Sequence, residues 1–168
     1  MSTETLAKIM IMGVGNVLLS DEGCGVQFLK ELEAAGLPEN VELLEGGTAG
    51  LELVHLIREV DFLILVDAIQ AQTDPGALFR FQPRELSIFP AEFQVSFHQV
   101  GIIEVLQVAE MLGHAPETLI FGIQPKNMEV GMELSEDVKA VFPRLLQLIR
   151  EEISSIQQKG QFCREVRA

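Results

Sequence analysis

Phe62-Leu63-Ile64-Leu65-Val66 is an unbroken apolar run closed by Asp67-Ala68. A run this short and continuous predicts a strand buried on both faces, because apolar–polar alternation belongs to strands with one face in water. Such a strand must be covered from two sides, which points to sheets sandwiched between helices. Three further runs fit the same frame. Ile9-Met10-Ile11-Met12 ends at Gly13, Val41-Glu42-Leu43-Leu44 ends at Glu45-Gly46-Gly47, and Leu119-Ile120-Phe121-Gly122-Ile123 precedes a Pro125-Lys126-Asn127 loop. After the Asp74-Pro75-Gly76 turn signal, Ala77–Phe81 reads as a shorter edge strand.

Helical spacing fills the intervals. Gly25–Ala35 places Val26, Leu29 and Leu32 on one face, and Gly36 stops it. Leu51–Arg58 carries Leu53, Leu56 and Ile57, and Gln99–Leu112 is closed by Gly113. Leu134-Ser135-Glu136-Asp137 opens a final helix with Ser135 as N-cap, whose stripe is Val138, Val141, Leu145, Leu148 and Ile149. Pro143 within that stripe is expected to kink it. Residues 82–97, with Pro83 and Pro90, read as irregular. The expectation is a three-layer α/β/α sandwich with a mainly parallel, twisted sheet of about five strands. One domain spans 1–168, with 1–7 and 159–168 as flexible tails.

Composition narrows the function. Hydrophobic residues make up 48% of the 168, enough for a buried core. The net charge of −13 repels phosphate backbones and anionic membranes, which argues against nucleic-acid binding. Cys24 and Cys163 have no partners at CxxC spacing, so neither a disulfide framework nor a structural zinc site is expected. Met1–Lys8 lacks the order of a signal peptide, and no apolar run approaches the length of a membrane span. A cytoplasmic, soluble protein is expected.

In a sheet of this kind, ligands gather beyond the carboxyl ends of the strands. Gly13-Val14-Gly15 there resembles part of a dinucleotide fingerprint, but Leu18 stands where the third glycine belongs. Asp21 and Glu22 would also meet a pyrophosphate with negative charge. No Gly-Lys-Ser/Thr follows, which excludes a P-loop. Three other groups fall on that edge: Glu22 after the first strand, Asp67 after the third, and His98 just before a helix. Two carboxylates and an imidazole suit a borderline divalent metal with open positions, as in metal-assisted hydrolysis. Taken singly each has an ordinary explanation. Glu22 is a first-turn helix acid, Asp67 a loop fastener and His98 a surface histidine. His55 and His114 read as structural or solvated, Cys24 as a small buried thiol, and the serines lack a G-x-S-x-G elbow.

The segment Gly13-Val14-Gly15-Asn16-Val17-Leu18-Leu19-Ser20-Asp21-Glu22-Gly23-Cys24-Gly25-Val26 resembles the opening motif of the hydrogenase maturation proteases. Glu45-Gly46-Gly47-Thr48-Ala49-Gly50, Val66-Asp67-Ala68, Phe97-His98-Gln99 and Gly122-Ile123-Gln124-Pro125 resemble four more of their motifs, in order, across residues 8–150. The resemblance implies an endopeptidase that removes the C-terminal extension of a nickel–iron hydrogenase large-subunit precursor. It implies Glu22, Asp67 and His98 as metal ligands. The metal is nickel already inserted in the precursor, with other divalent metals as stand-ins in vitro. On that reading Gly46, Gly47 and Thr48 hold the peptide, and Asp67 or Asp21 activates water. Two alternatives stay open beside dinucleotide binding. One is a non-catalytic chaperone for the nickel-loaded precursor, the other a metal-dependent hydrolase of a different peptide.

Overall fold

Each apolar run forms a strand, and the computed structural model shows how they pair. It describes residues 6–47, 49–88 and 97–167, the side chains of 97–100 and 160–167 excepted. The strands are β1 (Ile9–Val14), β2 (Val41–Gly47), β3 (Phe62–Ala68), β4 (Leu78–Phe81) and β5 (Glu117–Ile123). Their order across the sheet is β2-β1-β3-β5-β4. All neighbours are parallel except β4, which runs antiparallel to β5 in the register Leu78↔Ile123 to Phe81↔Ile120. The short strand after the Asp-Pro-Gly turn is therefore an edge, as its length suggested.

Helices cover both faces: α1 (Cys24–Ala35), α2 (Val54–Ile57), α3 (Phe97–Met111), α4 (Glu136–Lys139) and α5 (Phe142–Arg167). The pleat sorts the strand side chains between two cores. Ile9, Ile11, Ile64, Val66, Leu119 and Phe121 pack with Phe28 and Leu32 of α1 and Leu145 and Ile149 of α5. Met10, Met12, Leu63, Leu65 and Ile120 face the other way, onto Val54 and Ile57 of α2 and Ile102, Val105 and Ala109 of α3. Full burial of each large side chain contributes roughly 1.5–3 kcal/mol, which is why the continuous runs dictate the three layers. Phe28 and Phe142 meet edge to face, 5.1 Å between centroids, tying α1 to α5. Among the described residues no helix is long and apolar enough to cross a membrane.

Two expectations needed revision. The last helix is two helices, because Pro143 sits in the first turn of α5, where a missing N–H costs nothing, and does not kink a continuous one. Pro83–Ile88 forms a 3-10 turn within the stretch expected to be irregular. The backbone of α5 runs through Arg167.

Candidate active site

From β1 the chain passes to β2 on one side, while β3 lies on the other. The loops leaving β1 and β3 therefore diverge, and a crevice opens between the carboxyl ends of these two strands. Two glycines let the backbone close around it. A Cβ on Gly25 would lie 2.0 Å from the Val66 carbonyl oxygen, so only glycine lets the start of α1 press against the end of β3. Gly15, at φ +121°, adopts a backbone that other residues rarely reach. A Cβ there would fall 1.9 Å from the Glu22 carbonyl oxygen and 3.3 Å from Asp67 Oδ1. Gly15 thus packs closely against both the Glu22 backbone and the Asp67 carboxylate.

Both acids are withdrawn from water: Asp67 is 1% exposed and Glu22 9%. Asp67 Oδ1 accepts the N–H of Ala68 at 2.7 Å, a contact that fixes the carboxylate at the strand end. Glu22 lies in a 3-10 turn, Ser20–Gly23, that precedes α1, so the helix starts later than a simple first-turn acid would require. The neighbouring strand end also reaches the crevice, since Gly15 donates its N–H to the Gly47 carbonyl at 2.9 Å. Gly47, at φ +53°, has open space where a side chain would project, while a Cβ on Gly46 would strike Met12. Thr48 lies outside the described residues.

Asp21 is arranged differently. It is fully buried, and its Oδ2 accepts the N–H groups of Lys126 at 2.8 Å and Asn127 at 2.9 Å and the Ser135 hydroxyl at 2.8 Å. Its Oδ1 accepts the Ser135 N–H at 2.7 Å. Burial alone would raise its pKa, but the donors at Asn127, Ser135 and Lys126 outweigh it and hold the carboxyl below its ordinary value. Its own N–H bonds the Asn127 carbonyl at 2.9 Å. Next to it Ser20, at φ +52°, donates its N–H to Gly131 and its hydroxyl to Glu129, both at 2.8 Å. The loop carrying Glu22 is thereby locked to the loop that follows β5. A carboxylate so occupied is suited to holding two loops together rather than to accepting a proton from water.

The remaining expectations fall out as follows. His98 lies within the first turn of α3, not ahead of the helix, because α3 begins at Phe97. Its side chain is outside the described residues, and among those described no group of three or more potential metal ligands is found. His55 is exposed, and the ring of His114 bonds the Val60 carbonyl at 2.9 Å, a structural role. Cys24 is fully buried, and burial, reinforced by the charges of Asp67 and Asp21, pushes its thiol well above the ordinary value. A neutral thiol of this kind is no nucleophile. Sequence reasoning overlooked the contribution of Asn127, Glu129, Gly131 and Ser135. The one available signal was Ser135, whose hydroxyl accepts the Val138 N–H as the N-cap of α4 while also donating to Asp21.

Comparison with known proteins gives a consistent picture. A family model described as hydrogenase maturation protease matches residues 26–152, a span that includes Asp67 and His98 and begins after Glu22. The hydrogenase 2 maturation protease of Escherichia coli is 34% identical over 158 residues, covering 91% of this chain and 93% of that protein. The hydrogenase expression/formation protein HupD of Rhizobium leguminosarum is 38% identical, covering 83% of this chain and 71% of that one. Three further proteins of that description are longer, and the chain spans between 56% and 65% of their lengths. The solved structure of the hydrogenase maturating endopeptidase HybD from E. coli superposes with a TM-score of 0.78 at 33% identity, covering 88% of this chain and 93% of that one.

Proposed function

The chain belongs to the hydrogenase maturation protease family, and from that premise we propose that it cuts the C-terminal extension from a nickel–iron hydrogenase large-subunit precursor once nickel is in place. The observation that carries this reading is the burial of Glu22 and Asp67 at the switch point of the sheet, where Gly15 packs against the Glu22 backbone and the Asp67 carboxylate. Burying an acid costs several kcal/mol unless hydrogen bonds or a cation offset it, and a cationic guest docked at this end of the sheet would add to the bonds the two acids already make. Glu22 and Asp67 supply oxygen donors, and His98 is assigned as the nitrogen donor. Nickel held by the precursor anchors the substrate to these three side chains, so the docked precursor itself reports that the metal is loaded. The site then needs no resident metal.

Docking at that point lays the chain leaving the precursor's metal site along the end of β2. Gly47 there presents open space for a peptide, and Gly46 and Thr48 are assigned to the same strip. Water adds to the scissile carbonyl and the C–N bond breaks, giving a new carboxylate on the large subunit and a free amine on the released peptide. Asp67 is the group assigned to take the proton from water, because the oxygens of Asp21 already serve four donors. The setting proposed is the cytoplasm, where a free thiol such as Cys24 persists.

The test is the intact mass of the cognate precursor after incubation with this protein, with and without nickel. Loss of the extension from the nickel-loaded form alone is expected. Cleavage irrespective of nickel would keep the protease and remove the docking step. Processing at the normal rate by Asp67→Ala or His98→Ala would sink the assignment of the site.

A further inference from the structure

Three large apolar side chains stand in solvent beside the site: Leu18 at 56%, Val130 at 89% and Met132 at 67% exposure. They are not loosely placed. Leu19 and Gly131 form a parallel bridge that sets Leu18 beside Val130. Gly131 donates its N–H to the Leu18 carbonyl at 2.9 Å, and the Leu18 N–H is held by Asn16 Oδ1 at 2.9 Å. The Ser20 bonds to Glu129 and Gly131 complete the clasp. Backbone this heavily pinned, at a serine in a left-handed conformation, fixes an apolar ridge outward where folding alone would turn it in.

Charge shows what the ridge is for. The sequence stretches 15–23, 45–53, 67–77 and 124–137, which follow β1, β2, β3 and β5, hold ten of the 25 acidic residues and only one of the 12 basic ones, Lys126. The rest of the chain holds fifteen acids against eleven bases. The excess negative charge is thus concentrated around the ridge and the crevice. A second copy of this chain would bring the same sign to the same place and be repelled, and an anionic membrane would fare no better.

We propose that the ridge of Leu18, Val130 and Met132, flanked by Glu129 and Glu133, is a docking surface for the hydrogenase large-subunit precursor, seating a surface patch of apolar and basic residues outside the scissile segment. This rests on the proposed function above and adds to it a second point of attachment beside the metal contact. Two attachments fix the orientation of a large substrate where one metal contact leaves it free to swivel. The acids hasten encounter by steering, and the apolar side chains, once desolvated, slow release.

The experiment compares the unmodified protein with Leu18→Ser/Val130→Ser/Met132→Ser and, separately, Glu129→Lys/Glu133→Lys, using the full-length nickel-loaded precursor. Direct binding and steady-state cleavage are both measured. The apolar variant is expected to raise Kd and KM about tenfold, with kcat within about twofold. The charge variant is expected to weaken binding similarly and to flatten its dependence on salt. Val130→Ser alone, at a side chain almost wholly in solvent, serves as the variant least able to disturb folding, and thermal unfolding of each confirms the fold. Unchanged Kd and KM in the folded variants, with cleavage intact in the unmodified protein, would overturn the docking surface and leave the protease standing. Failure of the unmodified protein to bind the precursor at all would overturn both. Self-association that disappears in the apolar variant would instead assign the ridge to a second copy and refute the proposal.

Discussion

At the amino end of β3, Asp61 stands in solvent and its carboxylate accepts the Lys8 N–H at 2.8 Å. At the carboxyl end of the same strand, Asp67 also accepts a backbone N–H, that of Ala68, but is almost wholly buried. As fasteners of strand ends the two do the same thing. Asp61 does it in water, where a carboxylate costs little; Asp67 does it where desolvation opposes the charge. Burial at the carboxyl end therefore has a reason beyond folding. Only there do neighbouring strands also deliver Glu22, Asp21 and a glycine-lined opening.

Removing each acid in turn tests that contrast. The largest effect is expected at Asp67: Asp67→Asn should lower precursor processing by at least about a hundredfold, with thermal stability unchanged or raised, since an amide carries no buried charge. Asp61→Asn should leave processing within about twofold. Equal losses in the two variants, measured by precursor mass, would erase the distinction between the ends. Next comes Asp21→Ala, which strands three backbone N–H groups and should cost about 2–3 kcal/mol in urea unfolding, with processing reduced through the displaced Glu22 loop.

Acidity sharpens the same point. The folded pKa of Asp21 is depressed, so its ionised form contributes stability that is present above the unfolded carboxylate value and lost as pH falls through the folded one. Unfolding midpoints should therefore drop more steeply on acidification below about pH 4 in the unmodified protein than in Asp21→Ala. Parallel declines would show that the lock does not depend on charge. The smallest effect is expected from Ser135→Ala, which removes both an N-cap and one donor to Asp21 and should cost about 1 kcal/mol, read by the same unfolding assay.

What could be read from the sequence was whatever neighbours along the chain decide. Phe62–Val66 announced a doubly buried strand because its residues carry the pattern themselves, and Ser135 announced a cap because its partner is Val138. The shortness of the run Ala77–Phe81 likewise placed β4 at an edge. Asp21 looked like a free acid next to Glu22, since nothing local reveals that its partners lie beyond β5. Pro143 was misread for a related reason: a proline stripe gives no sign of whether it interrupts one helix or opens another. Glu22 and Asp67 were named from motif and strand-end position, while the packing of the Glu22 backbone and the Asp67 carboxylate against Gly15 required a fold to bring strands one and three together.

The lock on Asp21 also sets an order of events during synthesis. Glu22 and Asp67 are translated early, but the groups that steady the Glu22 loop, Lys126 to Ser135, follow more than a hundred residues behind Asp21. At ordinary elongation rates they leave the ribosome on the order of ten seconds after it. β5, which completes the sheet beside β3, is likewise late. A nascent chain thus carries its acids without the clasp that arms them, and a product truncated before Ser135 would be a bystander to the precursor rather than a premature cutter.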